Sequence, residues 1–430
     1  MTKEKNNYRV KDISLADQGE KNIAWAMSQM GALNKLRERF VKEKPLQNLT
    51  IGMALHVTKE TAVLVQTLTA GGAEVVIAGC NPLSTQDDVA AALAKSGISV
   101  FAFKGQSNQE YYQNLDSVID RLKSAVAKGG KITTVDDGCD LVSIIHQKYP
   151  ELIPALVVGT EETTTGVIRL RAMEADRALK YPVIAVNDNQ TKHLFDNYYG
   201  TGQSTIDGVL RATSILLAGK RFVVVGYGHC GQGVAKCARG MGALVTVCEV
   251  DPILALRARM DGFELQTIGA ASKVGDIFVT VTGDKSVISL QNIEAMKEGA
   301  ILANSGHFDA EIDVFNLKKA SKKSEEIRPG LKKYTLKNNR SIYLCGDGRL
   351  VNLACAEGHP SEVMSLSFCG QALAVEYGVK NQTKLDPKVH VLPKSIDQKI
   401  ALMQIEAMGL KIDRLTSEQR RYLKSWQEGT

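Results

Sequence analysis

Residues 221–252, RFVVVGYGHCGQGVAKCARGMGALVTVCEVDP, constrain the fold of this chain more than any other segment. Gly226, Gly228 and Gly231 form a G-x-G-x-x-G motif between an apolar run typical of a strand and a helical pattern. In such a motif the first glycine permits a tight turn, the second lets the backbone approach a pyrophosphate, and the third lets helix and strand pack closely. The motif therefore predicts a βαβ unit that binds a dinucleotide at a helix N-terminus.

Glu249 indicates which dinucleotide this unit binds. It ends the next predicted strand, about twenty residues after Gly226, where a carboxylate accepts hydrogen bonds from the adenosine ribose. The same carboxylate repels a 2'-phosphate, and the following Val250 and Asp251 provide no cation to hold one. We therefore predict NAD, rather than NADP, as the cofactor.

Short apolar runs alternate with helical patterns along most of the chain. The first series of predicted strands comprises residues 50–55, 74–79, 98–103, 131–135, 155–159 and 183–186, and a second series begins at residue 221. This alternation is typical of parallel sheets covered by helices on both faces. We predict an α/β fold with two doubly wound parallel-sheet domains, one for substrate and one a Rossmann NAD domain, plus a small C-terminal helical segment.

The order of these patterns predicts the domain boundaries. We expect a substrate-binding domain over residues 1–190, an NAD-binding domain with hinges at both ends over 191–352, a return to the first domain over 353–400, and a C-terminal oligomerisation segment over 401–430. One amphipathic helix is expected within residues 12–40, because apolar residues recur there at helical spacing. The charged run 318–333, KKASKKSEEIRPGLKK, is expected to be a solvated loop.

Charge and composition exclude several partner classes. The 53 Lys and Arg residues against 47 Asp and Glu give a net charge of +6, and the basic residues are scattered. We therefore expect no nucleic-acid partner. No run of eighteen uncharged apolar residues exists and the N-terminus is polar, so we expect a cytoplasmic protein without membrane contact. Eight cysteines without zinc-type spacing indicate a reducing compartment and no metal site.

Polar residues follow four predicted strands of the first series. Such residues at strand ends lie at the rim where open α/β sheets bind ligands, and they can perform acid–base chemistry. They are His56, Asn81, Asp136, Asp137, Glu161 and Glu162. The two acidic pairs could instead cap the helices that follow them. Lys192 and Asp196 are four residues apart, so they share one face of a helix. They form either a surface ion pair or, if desolvated, a lysine base with its acidic partner.

Eight long stretches match one known family, in its order. They are LHVTKETAVL, CNPLSTQDDVAAALAKSGI, DDGCDL, EETTTGV, VNDNQTKHLFDNYYGTGQS, GYGHCGQG, NSGHFDAEID and GRLVNLACAEGHPSEVMS. The chain thus resembles the S-adenosyl-L-homocysteine hydrolase family over nearly its whole length, and GTGQS and NPLSTQDDV resemble the archaeal branch. The resemblance implies a homotetramer that acts on small molecules and converts S-adenosyl-L-homocysteine reversibly to adenosine and L-homocysteine.

In this family, NAD stays bound through the whole reaction cycle. The resemblance implies that the 3'-hydroxyl of the nucleoside is oxidised to a ketone, which acidifies the neighbouring C4' hydrogen. Loss of that proton expels the homocysteine thiolate, water adds to the product, and the ketone is reduced again.

The resemblance also implies roles for individual residues. Lys192 is similar to the base for the 3'-hydroxyl, Glu162 to a ligand of the ribose, and His56 with Asp137 to the pair that handles the thiol and the water. The implied catalytic set is His56, Asp137, Glu162, Lys192, Asp196, Asn197 and His307. The implied substrate contacts are Thr58, Glu60, Asp137, Glu162, Lys192, Asp196, His307 and His359. The implied cofactor contacts are Thr163, Thr164, Thr165, Asn197, Gly226, Gly228, His229, Cys230, Gly231, Glu249, Asn304 and Asn352.

Three alternatives remain open from the sequence. Some archaeal members of the family prefer S-inosyl-L-homocysteine, although Glu60 offers an acceptor that favours the amino group of adenine. A conventional NAD-dependent dehydrogenase would carry the same glycine motif but would accumulate reduced cofactor. A catalytically silent NAD-binding regulator should have lost some of the implied catalytic residues, and none is missing.

Overall fold

The computed structural model describes residues 7–427, which form fifteen strands and eighteen α-helices. The strands are β1 Leu49–Ala54, β2 Glu74–Ala78, β3 Ser99–Phe101, β4 Lys131–Asp136, β5 Leu156–Glu161, β6 Val183–Ala185, β7 Arg221–Val225, β8 Leu244–Cys248, β9 Glu264–Leu265, β10 Ile277–Thr280, β11 Ile301–Asn304, β12 Ser321–Arg328, β13 Leu331–Leu336, β14 Ser341–Cys345 and β15 Val389–His390.

The helices alternate with these strands through most of the chain. They are α1 Ala16–Gln29, α2 Gly31–Glu43, α3 Lys59–Ala70, α4 Asp87–Lys95, α5 Asn108–Ala127, α6 Asp140–Lys148, α7 Thr164–Ala175, α8 Gln190–His193, α9 Thr201–Thr213, α10 His229–Gly240, α11 Pro252–Met260, α12 Ile268–Ala271, α13 Leu290–Ala295, α14 Val314–Ala320, α15 Val351–Ala354, α16 Ser361–Asn381, α17 Lys394–Ala407 and α18 Ser417–Tyr422. The predicted α/β class is confirmed. In the part of the chain that the structure covers, no helix is long and apolar enough to cross a membrane.

The first sheet has seven parallel strands in the order β15-β6-β5-β4-β1-β2-β3. The chain runs outward from β1 to β3, then returns to the other side of β1 and continues from β4 to β6. The direction of winding therefore reverses between β1 and β4, which creates a crevice at the carboxyl ends of these two strands. Buried apolar side chains cover both faces, including Ile51 with Leu64 and Phe368 on one face and Ile132 with Leu141 on the other.

The second sheet is mixed: it has the predicted parallel pairing through its centre and an antiparallel edge. Its eight strands have the order β12-β13-β14-β11-β10-β7-β8-β9, and β13 pairs antiparallel with both β12 and β14. The winding reverses between β7 and β10, so a second crevice opens above β7, where the glycine motif begins. Except for the antiparallel edge, this sheet has the expected parallel pairing.

The charged run 318–333 was predicted to be a loop, and this prediction is wrong. The run contributes most of a β-hairpin. Gly330 has a φ of 73°, and together with Pro329 it turns the chain between β12 and β13. Leu331, Tyr334 and Leu336 are buried on the second sheet, whereas most of the charged residues of β12 are exposed. The density of lysine and glutamate obscured the hairpin, because β12 has no buried residue and only β13 buries side chains on the sheet.

The N-terminal region was predicted to form one helix, but the structure has two, α1 and α2. Met30 separates α1 from α2 with non-helical φ and ψ of −98° and 59°. A Cβ atom on Gly31 would lie 2.6 Å from the Cβ of Ala407, so the glycine lets α17 pack against the start of α2. Burial of Met30 and close approach of α17 favour the break over a continuous helix.

Candidate active site

Three strands of the first sheet lead directly to ionisable residues at the crevice. β1 is followed closely by His56, β4 by Asp137 and β5 by Glu162. Because β1, β4 and β5 are consecutive in the sheet, these side chains approach one another although they are far apart in sequence.

A cavity of about 360 Å³ is lined by loops that follow strands of both sheets. Most of the residues implied by the resemblance line it, namely His56, Thr58, Glu60, Asp137, Glu162, Thr163, Thr164, Thr165, Lys192, Asp196, Asn197, Gly228, His229, Cys230, His307, Asn352 and His359. Four others, Gly226, Gly231, Glu249 and Asn304, lie outside its lining. The fold thus combines residues from the crevices of the two sheets in one cavity.

Asp137 lies between two histidines, one from each sheet. Its Oδ2 is 3.5 Å from Nε2 of His56, and its Oδ1 is 3.6 Å from Nδ1 of His307, which follows β11. Burial lowers the pKa of His56 to about 4, with His307 and His359 adding to the effect and Asp137 opposing it. His56 is therefore a neutral imidazole at neutral pH.

The ring nitrogens of His56 have different neighbours. Nδ1 lies 2.7 Å from Oγ of Ser84, and Ser84 Oγ also lies 3.2 Å from the carbonyl oxygen of Asn81. In the tautomer in which Ser84 donates to Asn81 and accepts from Nδ1–H, Nε2 of His56 has a lone pair directed toward Asp137 and can accept a proton.

Lys192 is buried among acceptors at another part of the cavity. Its Nζ lies 2.8 Å from Oδ1 of Asn197, 3.1 Å from Oδ1 of Asp196 and 4.0 Å from Oε1 of Glu162. Burial alone would lower the pKa of this ammonium, but Asp196 and Glu162 outweigh burial and raise it. In this arrangement Lys192 is protonated, and its role as the base for the 3'-hydroxyl stays a prediction.

The carboxylate of Asp196 bridges Lys192 and His359. Its Oδ2 is 3.4 Å from Nδ1 of His359, whose Nε2 lies 3.3 Å from Oγ1 of Thr201. Burial tends to raise the pKa of Asp196, but Lys192 and His359 outweigh burial and lower it. Asp196 is therefore a fixed negative charge that orients both neighbours.

Glu162 is held by two side chains that the sequence analysis missed. Ser367 Oγ and Gln371 Nε2, four residues apart on α16, donate to its two carboxylate oxygens. Burial raises the pKa of Glu162, and Asp196 and Asp137 add to this while Lys192 opposes it. A pair of polar residues at i and i+4 on an otherwise buried apolar helix was the signal available in the sequence.

The two acidic pairs have divided roles. Asp136 and Glu161 are fully buried, and their carboxylates accept backbone hydrogen bonds. Asp136 accepts from Val142 N at 2.9 Å, and Glu161 accepts from Gly138 N at 2.9 Å and Thr163 N at 3.0 Å. The first member of each pair therefore anchors the loops and the second member faces the cavity, and only Asp136 bonds the first turn of the helix that follows it.

The glycine motif leaves room for a dinucleotide at the start of α10. Gly226 has a φ of 103°, and a Cβ atom on Gly231 would lie 2.1 Å from the Gly226 carbonyl oxygen. A Cβ atom on Gly228 would meet no atom of residues 7–427 within 4 Å, so the backbone there is open to a ligand. These positions match the turn, close packing and phosphate approach that a dinucleotide requires.

Two further groups fit a bound dinucleotide. The Glu249 carboxylate at the end of β8 accepts from Tyr227 N and Asp251 N at 2.6 and 2.9 Å, which fixes it beside the glycine loop. Asn352 lines the cavity, and its buried Oδ1 has no hydrogen-bond partner among the described residues. A buried amide oxygen of this kind is commonly satisfied by a ligand or an ordered water.

Asn304 is an exception among the implied cofactor residues. Its side chain is fully buried, with Nδ2 within 3.1 Å of the carbonyl oxygens of Gly306, Phe308 and Gly348, and its Oδ1 accepts from Thr280 Oγ1. These contacts hold the loop that carries His307, and the implied cofactor contact of Asn304 stays a prediction.

Two positioning residues were not predicted. Arg169 on α7 donates to Gly138 O and to Asp140 Oδ1, and its guanidinium lies 5.9 Å from the ring centroid of Phe308. Asp397 on α17 accepts from the backbone N–H groups of Gln190 and Thr191, which start the short helix that carries Lys192. Arg169 follows the cavity residue Ile168 in sequence, but only the fold brings it to Gly138 and Asp140, and Asp397 is far from every cavity residue in sequence.

Comparison with known proteins places these features in context. Residues 7–157 match the family described as S-adenosyl-L-homocysteine hydrolase, and residues 197–358 match its NAD binding domain. An S-inosyl-L-homocysteine hydrolase of Methanocaldococcus jannaschii is 55% identical and covers 98% of this chain and 100% of its own. Adenosylhomocysteinases of Sulfolobus acidocaldarius and Aquifex aeolicus are also 55% identical, covering 99% and 98% of this chain and 100% of their own.

Proposed function

This chain belongs to the S-adenosyl-L-homocysteine hydrolase family, and on that premise we propose that it catalyses the reversible hydrolysis of S-adenosyl-L-homocysteine to adenosine and L-homocysteine. It is a thioether hydrolase that uses NAD. One observation carries the proposal: the same cavity is lined by Asp137 with its two histidines, by Lys192 with Asp196 and Asn197, and by Gly228 of the glycine loop.

The glycine loop and its surroundings would hold the cofactor. The open backbone at Gly228 and the N-terminus of α10 suit the pyrophosphate, Glu249 suits the adenosine ribose, and the unpartnered Asn352 oxygen suits a donor from the ligand. When bound, NAD supplies the reversible oxidation at C3' that acidifies the neighbouring C4' hydrogen.

Lys192 and Glu162 would bind the ribose hydroxyls of the substrate. Glu162 accepts from a hydroxyl while Ser367 and Gln371 hold its carboxylate. Lys192 can take the 3'-hydroxyl proton only as a neutral amine. Because its pKa is raised here, loss of its own proton requires a positive charge nearby or a weaker interaction with Asp196.

His56 and Asp137 would manage protons at the sulfur end of the substrate. The lone pair on Nε2 of His56 can accept a proton from water, and the resulting imidazolium would be stabilised by Asp137 at 3.5 Å. In the order of the reaction, the proton removed from C4' would be passed through this pair to the departing homocysteine thiolate, and the proton that His56 later accepts from the attacking water would be returned to C4'. His307 on the other side of Asp137 keeps that carboxylate in place.

The purified protein incubated with adenosine and homocysteine should form the thioether, while absorbance of reduced cofactor shows almost no net change. A conventional dehydrogenase would instead accumulate reduced NAD without forming the thioether. Protein stripped of NAD should be inactive and should regain activity when NAD is added back. Thioether formation by the stripped protein at the full rate would refute the mechanism.

The base of the nucleoside is a finer part of the proposal. Glu60 is buried in the cavity lining and accepts from Ser361 Oγ at 2.7 Å. Its carboxylate favours the 6-amino donor of adenine over the carbonyl oxygen of hypoxanthine. The inosyl alternative is supported by the 55% identical relative of that specificity. We expect a higher kcat/KM for the adenosyl substrate, and Glu60→Gln should reduce the ratio; a preference of the unmodified enzyme for the inosyl substrate would contradict our assignment.

We also propose the domain boundaries, the oligomer contact and the cellular location that the sequence predicted. Strands β1 to β6 and β15 share one sheet and β7 to β14 the other, which supports substrate-binding residues 1–190 and 353–400 around an NAD-binding domain at 191–352. Exposed apolar side chains in residues 401–426, including Leu410, Ile412 and Trp426, support a homotetramer contact there. Eight free thiols support a cytoplasmic location.

A further inference from the structure

A histidine nitrogen, a cysteine sulfur and a carboxylate oxygen meet beside the cavity, at the ends of β1, β2 and β4. The ligand atoms of His56, Cys80 and Asp137 all lie within 4.8 Å of one another. His56 and Asp137 line the cavity. Cys80, which follows β2 in the sequence, is a buried free thiol. The mechanism proposed above gives roles to the first two residues and none to Cys80.

The orientation of His56 makes this cluster an acceptor of cations. Nε2 of His56 lies 3.5 Å from Oδ2 of Asp137, and in the tautomer with the proton on Nδ1 it presents its lone pair to that oxygen. In that tautomer two electron-rich atoms face each other, and a cation between them would be attracted to both. The bond from Nδ1 to Ser84 is also the outer hydrogen bond that commonly fixes a metal-binding imidazole.

We propose that His56, Cys80 and Asp137 form a binding site for one thiophilic divalent cation of the zinc class, and that its occupation inhibits the enzyme. Nitrogen, sulfur and carboxylate oxygen are the three donor types that zinc binds in proteins, and three protein ligands leave a fourth position open toward the cavity. Bond lengths of about 2.0 to 2.3 Å place tetrahedral ligand atoms about 3.3 to 3.7 Å apart. The separation between His56 and Asp137 already meets this requirement, and the Cys80 sulfur, which lies within 4.8 Å of both ligand atoms, completes it by moving closer.

Binding requires no oxidant or reductant. The cation forms bonds to Nε2, to Sγ and to one carboxylate oxygen, and the thiol proton of Cys80 is released to solvent. Inhibition follows because the ion occupies the lone pair of His56 and the charge of Asp137. This inhibitory consequence rests on the proposed function, whereas the binding site itself does not.

The test uses the NAD-loaded full chain, freed of metals with a chelating resin and dialysed against zinc chloride. We expect one zinc ion per chain, and replacement of zinc by cobalt should give the strong visible absorption of a tetrahedral site. Cys80→Ala should weaken zinc binding at least about tenfold while leaving the rate in zinc-free buffer unchanged. Cys237→Ala removes a partly exposed thiol on α10 and should retain the ion.

Activity provides a second, separate readout. Adenosine released from S-adenosyl-L-homocysteine is measured by chromatography during the earliest turnover, before the homocysteine product can chelate zinc. Zinc should inhibit the unmodified enzyme and the Cys237→Ala control, and Cys80→Ala should require at least about tenfold more zinc for the same inhibition.

Unchanged zinc affinity in Cys80→Ala, or no stoichiometric binding by the unmodified chain, would overturn the site. Cys80→Ser, which has nearly the same volume, takes the place of the alanine variant if that variant does not fold. Binding without inhibition would overturn the claim that the ion competes with catalysis. A chain that binds zinc through Cys80 but lacks hydrolase activity would refute the proposed function and leave the metal site standing.

Discussion

Removing the Lys192 ammonium should leave two buried carboxylates without their cation. Nζ lies 3.1 Å from Asp196 and 4.0 Å from Glu162, and the three side chains are at most 7% exposed. Removing one partner of a buried ion pair destabilises a protein by about 3–5 kcal/mol. We therefore expect Lys192→Ala to lower the free energy of unfolding by about this amount and the Tm by roughly 5 °C, in addition to abolishing activity.

A second substitution separates the structural effect from the chemical one. Asp196→Asn in the Lys192→Ala background removes a buried charge that has lost its main partner, so it should recover most of the Tm while the double variant stays inactive. The Tm is measured by circular dichroism during heating, at a fixed excess of NAD, for the unmodified protein, Lys192→Ala, Asp196→Asn and the double variant. A Lys192→Ala variant within about 1 kcal/mol of the unmodified protein would refute the ion-pair reasoning.

The sign of the pH dependence provides a further check. In the unmodified protein the pKa of Asp196 is lowered, so its contribution to stability is present above its unfolded pKa and lost as the pH falls. Without Lys192, burial should raise this pKa, and the contribution is then present at acidic pH and lost as the pH rises. The Tm deficit of Lys192→Ala should therefore be larger at pH 8 than at pH 5, and the opposite trend would contradict the argument.

Three further predictions test other parts of the site. Gly231→Ala should lose NAD and lower the Tm, because its Cβ atom would lie 2.1 Å from the Gly226 carbonyl oxygen; Gly240→Ala at the end of the same helix meets no described atom within 4 Å and should retain NAD through gel filtration. Because the pKa of folded His56 is about 4 while its unfolded value is about 6.5, stability should fall as the pH drops from about 6.5 toward 4, and a Tm series should be flatter for His56→Gln. Asp397→Ala removes the acceptor at the start of α8 and should reduce kcat with NAD content unchanged. Asp397→Asn should recover part of the kcat. Equal kcat values for the unmodified protein and both variants would exclude a positioning role for Asp397.

Local sequence patterns predicted much of the framework. The glycine spacing specified the turn, the open backbone and the close helix contact, because these depend on residues within one βαβ unit. The strands of the first series were predicted close to their observed bounds because buried parallel strands form continuous apolar runs. The same criterion failed for the hairpin β12–β13, because β12 has no buried residue and its exposed positions are mostly charged.

The residue pattern by itself left the members of each acidic pair equivalent. Only the tertiary structure explains why Asp137 faces the cavity while Asp136 accepts from Val142 N. The resemblance had singled out Asp137, but it gave no reason for that choice. The same holds for Lys192, whose raised pKa results from Asp196 and Glu162 together and not from its position in the sequence.

The sequence alone thus determined the fold class, the cofactor type and the strand ends that carry reactive side chains, since each depends on residues that are neighbours along the chain. Only the tertiary structure decided which groups meet. His307 reaches Asp137 across 170 residues, Gln371 reaches Glu162 across 209, and Asp397 reaches Thr191 across 206. Hydrogen bonds and charge interactions act over a few ångströms of space, so chain distance carries no information about them until the two sheets have packed.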